Sequence, residues 1–219
     1  PMNTPRIGHG IGRMHTLSDQ VLQVYAVGGQ DGSTLLKSAE VLLAAGWKTI
    51  APMSTHRVGL GVAFLGTKMY AVGGTDSTGA ILASVEVYDT GGPTWTWSTL
   101  TQSMSIARSG VGVASLGSYL YAVGGLSLTG SQGAIVGSAE RYSPSGGWAN
   151  IHPMQTPREG LGVVRDPEIS THQVDGDVSE PVELHRGGRR GLAAKHRTDS
   201  GGEFVGPKRF GHIVIGPDV

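Results

Sequence analysis

The chain has 219 residues, with 17 basic and 17 acidic side chains, 36 glycines and no cysteine. Zero net charge gives no field of one sign to draw the whole chain onto nucleic acid or an anionic membrane. Without cysteine there are no disulfides, no thiolate zinc sites and no cysteine nucleophile, which fits a reducing compartment.

Glycine stands at about twice its ordinary frequency and follows no period of three. With 11 prolines and short apolar runs, this composition marks an all-β chain with many tight turns. The apolar runs are broken by glycine well short of a membrane span, and no charged segment leads into an apolar one as in a signal peptide. The expected location is cytoplasmic.

Five landmarks recur in one order. Met2, Met53, Met104 and Met154 each stand four residues before an arginine that opens an Arg-x-Gly-x-Gly motif, at Arg6, Arg57, Arg108 and Arg158. These arginines are separated by 51, 51 and 50 residues. Tyr-Ala-Val-Gly-Gly occurs unchanged at 25–29, 70–74 and 121–125. Ser-x-Glu follows at Ser38-Glu40, Ser84-Glu86 and Ser138-Glu140, and then tryptophan at Trp47, at Trp95 and Trp97, and at Trp148.

The second unit shows why these residue types repeat. Gly59–Leu65 is a short apolar run that turns at Gly66-Thr67 into a second β-rich run, Met69–Val72, closed by Gly73-Gly74. Val85–Tyr88 alternates in the manner of a strand, Gly91-Gly92-Pro93 turns the chain, and Trp95–Leu100 is expected as a fourth strand. Four strands on tight turns make one twisted antiparallel sheet, which cannot bury both faces alone and must stack on its neighbours. Glycines such as Gly59 and Gly61 let strands approach closely at the narrow end. The recurring Tyr25, Tyr70, Tyr121, Trp47, Trp95 and Trp148 are expected to fill the space between sheets.

The order and spacing of these landmarks resemble the kelch family, in the form seen in BTB–kelch adaptor proteins, and a unit of about 50 residues is the kelch period. The resemblance covers residues 1–164 and implies a kelch-type β-propeller. Its blades fall at about 1–51, 52–102 and 103–152, and a fourth opens at 153–164. It further implies a protein-interaction module, the substrate-reading part of an adaptor, with ubiquitin-ligase recruitment residing on sequence not present here. Kelch propellers also occur in galactose-oxidase-like and sialic-acid-mutarotase-like proteins. The cross-linked tyrosine cofactor of the former needs a cysteine, whereas the latter needs only a few polar pocket groups and stays open as the alternative.

After Val164 the pattern stops. Residues 165–219 carry 17 charges in 55 positions, against 17 in the preceding 164, with no tyrosine or tryptophan, which marks a divergent, charge-rich tail. Pro207–Ile215 alternates enough to be a strand, and Arg209 lies 51 residues after Arg158, a match in phase that we read as coincidence. Since propellers close with four or more blades, the expectation is a fragment or aberrant product of a longer protein, without function of its own in the extreme case. Association of two chains is another route to closure.

Within the resemblance, the matching arginines and the serine of Ser-x-Glu can line a ligand pocket. The candidate partner-binding surface is therefore Arg6, Arg57, Arg108, Arg158, Ser38, Ser84 and Ser138. A ring of guanidinium groups and hydroxyls suits a protein or acidic peptide ligand. The competing reading pairs the arginines internally with Glu40, Glu86 and Glu140. The loops Gln30–Lys37, Thr75–Ala83 and Leu126–Gly137 differ in length and content, as binding loops on a rigid scaffold do. No catalytic residue, metal or cofactor is expected: the eight histidines lack ligand spacing, and no phosphate loop or nucleophile elbow occurs. A single Arg-Gly-Gly element at Arg186–Gly191 is too little for a nucleic-acid partner.

Overall fold

In a computed structural model, residues 1–15, 22–129, 132–165 and 212–215 are described. The first blade consists of β1 (Gly10–His15), β2 (Leu22–Val27), a small hairpin of β3 (Gln30–Asp31) and β4 (Thr34–Leu35), then β5 (Ala39–Leu43) and β6 (Gly46–Ile50). The second has β7 (Gly61–Leu65), β8 (Lys68–Val72), β9 (Val85–Asp89) and β10 (Trp97–Thr99). The third has β11 (Gly112–Leu116), β12 (Tyr119–Val123), a hairpin of β13 (Leu126–Thr129) and β14 (Gln132–Ile135), then β15 (Ala139–Ser143) and β16 (Gly147–Ile151). The fourth unit contributes β17 (Gly162–Arg165), which pairs in parallel with β18 (His212–Ile215).

Each of the three blades is a four-stranded sheet in the order β1-β2-β5-β6, β7-β8-β9-β10 and β11-β12-β15-β16. All pairings within them are antiparallel. The all-β architecture read from composition is therefore the architecture observed, as consecutive propeller blades. The rest of the charge-rich segment 166–219, with its Arg-Gly-Gly element and Arg209, lies outside the described residues.

The core does not lie inside a blade. One apolar cluster joins Tyr25, Val27 and Val41 of the first blade to Val62, Phe64 and Met69 of the second, with Met53 from the connection between them. A second joins Val72, Val85 and Tyr70 to Val113, Leu120 and Tyr142, with Met104. A third packs Tyr121 and Val123 under Met154 and Leu161 of the fourth unit. Met53, Met104 and Met154 thus each cap the preceding blade, and the flexible thioether suits that gap-filling place. Aromatic contacts cross the same junctions, with Tyr25 and Phe64 at 5.1 Å and Tyr70 and Tyr142 at 5.8 Å between ring centroids.

The tryptophan expectation needs one correction. In the second blade Trp97 packs on Tyr88 with ring centroids 5.3 Å apart, and its Nε1 donates to the Ala51 carbonyl at 2.8 Å. Trp95 lies before the strand, 57% exposed and at φ 49°. A left-handed residue cannot continue the pleat, so β10 begins two residues later than the apolar pattern implies.

The innermost strands β1, β7, β11 and β17 pack side by side. They can do so because Gly61 leaves room for Val113 of the next blade, as Gly10 does for Val62 and Gly112 for Val163. A Cβ on Gly61 would collide with the Val113 side chain and lie 3.0 Å from the Val111 carbonyl oxygen. Gly61→Ala should therefore lower stability by about 1–3 kcal/mol, the usual cost of overpacking. Combined with Val113→Ala, which removes the nearest methyl group, it should destabilise by less than the sum of the two changes, as read from urea midpoints.

Candidate functional site

The Arg-x-Gly-x-Gly motifs of Arg57, Arg108 and Arg158 begin in the connection between one blade and the next, and the backbone there is gripped by the preceding blade. The Gly29, Gly74 and Gly125 amides donate to the carbonyls of Arg57, Arg108 and Arg158, each at 2.7 Å. The arginine side chain then reaches into its own blade. Arg57 Nη1 donates to the Gly73 and Ser84 carbonyls, both at 2.9 Å, Nη2 to Ser84 Oγ at 3.0 Å, and Nε to Glu86 Oε1 at 3.2 Å.

Arg6 and Arg108 repeat this pattern with small changes. Both donate from Nη1 to the Gly28 and Ser38, or Gly124 and Ser138, carbonyls. Their Nη2 atoms donate to Ser38 Oγ and Ser138 Oγ, and to Glu40 at 2.8 Å and Glu140 at 3.1 Å. All six charged partners are buried.

The glutamates serve a second purpose. Glu86 accepts from the Ser54 amide and hydroxyl, both at 2.7 Å, and from the Thr55 amide. Glu40 accepts from the Asn3 and Thr4 amides, and Glu140 from those of Ser105 and Ile106. Each carboxylate thereby fastens the connection that enters its blade. Asn3, Ser54 and Ser105 escaped the sequence reading, although the residue after Met2, Met53 and Met104 is polar each time.

Of the candidate partner-binding residues, Arg6, Arg57 and Arg108 thus do not form a ring open to a ligand. A buried guanidinium needs a carboxylate and carbonyls around it, and these three have both inside their own blade, so the geometry favours the internal pairing. Ser38, Ser84 and Ser138 are the hydroxyl partners of the same arginines and are half-buried beside them. Among the described residues Arg158 keeps only the backbone half of the arrangement, and it is exposed.

What the blades do bring together is one face. Residues at the entrance to each inner strand bridge to the root of a variable loop: Ile7 to Gln30, Val58 to Thr75 and Ser109 to Leu126. The three loops therefore leave their blades on the same side, and next to the root of the third lies a shallow depression of about 430 Å³, bordered by Val58, Ser109, Leu126, Glu159 and the motif glycines. Their contents differ. The first is a tight hairpin. The second is ordered by Asp76, whose Oδ1 accepts from the Thr78 amide and hydroxyl and the Ala80 amide. The third is a longer hairpin that holds Leu128 and Ile135 exposed.

Set beside known proteins, the kelch motif family matches at residues 56–103, the second blade with its entering connection. The chain carries kelch repeats, with the family's motif matched at the second blade. Among curated proteins it is similar to alpha-scruin of Limulus polyphemus, 28% identical over 131 residues, or 58% of this chain. The matched stretch is 14% of that protein's length, so this kelch chain spans a small part of its relative.

Two of the buried pairs, those of Glu40 and Glu86, contribute acid sensitivity to the first two blades. Burial pushes the Glu40 and Glu86 carboxyls up, but hydrogen bonds from Arg6, Asn3 and Thr4 in one case, and from Ser54, Arg57 and Thr55 in the other, outweigh it. Both carboxyls end below their usual value of 4.5. The unfolded chain therefore takes up protons first as pH falls, so the stability these groups contribute is complete above the ordinary carboxylate range and is lost through the lowered native values.

Two outcomes are expected. Arg57→Ala, which strands a buried carboxylate, should cost about 3–5 kcal/mol in urea unfolding. Glu86→Gln should be less stable than the parent at neutral pH, yet its thermal midpoint should fall less between about pH 5 and pH 3, because one proton-linked group is gone.

Proposed function

We propose that this chain is a protein-interaction module that reads its partner with the loop face, as the substrate-recognition part of an adaptor. The observation that supports this most is the contrast between what the blades keep and what they vary. Methionine, arginine, serine and glutamate are spent on joining the blades, while the three loops on one face differ in length, conformation and exposed chemistry. Variation concentrated on one face of a repeated scaffold is the arrangement expected of a recognition surface.

The third loop offers the apolar contact, through Leu128 and Ile135, and exposed Arg158 offers a cation for an acidic side chain of the partner. A protein segment carrying an apolar residue beside an acidic one is the ligand we assign. Recruitment of a ubiquitin ligase rests on the likeness of the landmark order to BTB–kelch adaptors, and a cytoplasmic setting on the absence of cysteine.

Peptide display on the purified chain tests this reading. Selected peptides should combine apolar and acidic residues. Leu128→Asp should weaken them by about tenfold or more, since truncating or charging a central apolar contact costs at least 1–2 kcal/mol. The thermal midpoint should not move, because Leu128 is exposed. Peptides whose binding is indifferent to Leu128→Asp and Arg158→Glu alike would overturn the proposal.

A further inference from the structure

The first variable loop turns on an Asp-Gly pair whose reactive groups are left free. Asp31 ends β3 opposite Thr34, which opens β4, and Gly32-Ser33 is the two-residue turn between them. Gly32 stands at φ 56° and Ser33 is not left-handed, the pattern of a type II′ turn with glycine at its first central position. Asp31, Gly32 and Ser33 are exposed, and a Cβ on Gly32 would meet nothing within 4 Å. Gln30 Nε2 donates to the Gly32 carbonyl at 3.2 Å. Among the described residues, neither the Asp31 carboxylate nor the Gly32 amide has a partner.

The other two described aspartates differ on both counts. Asp76 Oδ1 accepts from the Thr78 and Ala80 amides, and a serine follows Asp76. Asp89 Oδ1 accepts from the Gly91 amide at 3.0 Å, and its Oδ2 lies 3.7 Å from Lys68 Nζ. The amide that follows it, that of Thr90, donates to the Thr67 carbonyl at 3.0 Å.

We propose that Asp31-Gly32 is a site of spontaneous isomerisation to isoaspartate. The Gly32 nitrogen attacks Asp31 Cγ, and glycine puts no side chain in its way. The N–Cγ bond forms, and the amide proton leaves with the carboxyl hydroxyl as water, which closes a succinimide ring. Water then adds back. Opening at Cγ restores aspartate, whereas opening at the main-chain carbonyl leaves the chain running through Cγ and frees the main-chain carboxyl group. One water leaves and one returns, so nothing is oxidised or reduced and the mass is unchanged. Because the ring closes between neighbouring residues, the step depends on the turn and not on what flanks the blade.

Isoaspartate lengthens the main chain by one carbon inside a turn whose length sets the register of its strands. The Asp31–Thr34 pair then opens, while the second root of the loop, the Leu36 amide on the Gly29 carbonyl at 2.8 Å, lies beyond the change. The product is a reshaped loop tip on an intact blade.

Peptide mapping of the full chain, aged in warm neutral buffer, tests the proposal. A peptide of unchanged mass with isoaspartate at position 31, identified by electron-transfer fragmentation, should accumulate with time. Asp76 and Asp89 should remain aspartate. The other Asp-Gly pair, Asp175-Gly176, falls in a separate tryptic peptide and is read independently. Asp31→Glu, whose side chain is one carbon too long for the five-membered ring, should lose the product at this position. Its thermal midpoint should not move, because residue 31 is exposed. A parallel sample aged in urea supplies the comparison, and isoaspartate should form at position 31 as readily in the native chain. Formation at 31 in urea alone would mean that the folded turn withholds these groups, and would overturn the proposal. Absence of the product from both samples, or equal formation at Asp76 and Asp89 in the native chain, would overturn it too.

Discussion

The buried arginine–glutamate pair at the entrance to each blade is the constraint on which the rest of the structure hangs. An unpaired guanidinium in that position would be prohibitive, and an unpaired carboxylate equally so. Satisfying both requires the Gly-Gly carbonyl, the serine and the glutamate of one blade to converge on a connection whose backbone is held by the blade before it. Four of the five recurring landmarks meet at this one place. Their spacing is fixed because the connection has to arrive with its arginine opposite the middle strands and its methionine against the previous sheet.

The repeat and its period were legible because each landmark answers a physical demand that few residues meet. Glycine opposite a neighbour's valine, methionine over the preceding sheet and arginine against a buried carboxylate are all of this kind. The role of the arginines was not legible in the same way. Arginine and serine suit an open anion-binding ring as well as a closed pair, and only the placement of Glu40, Glu86 and Glu140 within reach of the guanidiniums decides between them. Trp95 and Trp97 posed a similar difficulty, since two residues apart they share a face of any strand. The turn geometry at Trp95, not hydrophobicity, separates them. The small hairpin in the first loop left a signal in Asp31-Gly32, a turn-forming dipeptide, but strands of two residues carry no periodicity to confirm it.

Constancy and variation divide cleanly in space. In the first three units the landmark methionine, arginine and glutamate side chains are held within the blades or the junctions between them, where a change in one partner demands a matching change in the other. The loops after each Gly-Gly are held at both roots, by the bridges to Ile7, Val58 and Ser109 and by the Leu36, Leu82 and Val136 amides, which donate to the carbonyls of Gly29, Gly74 and Gly125; between those roots their content differs. Such a scaffold can change what it recognises without renegotiating how its blades fit together.

Because every apolar cluster spans two blades, no single sheet is a unit of folding. As the chain emerges during synthesis, the first sheet can complete its ladder but not its core. Its cover, from Met53 through Tyr88, lies tens of residues further along. The growing chain therefore always exposes one unfinished apolar face at its leading end, passed forward as each new sheet closes over the last. Such exposure is a hazard common to proteins that fold piecewise. In this chain it is confined to one surface at a time, and the glycines opposite each neighbouring valine give that surface a shape that a mismatched partner fills poorly.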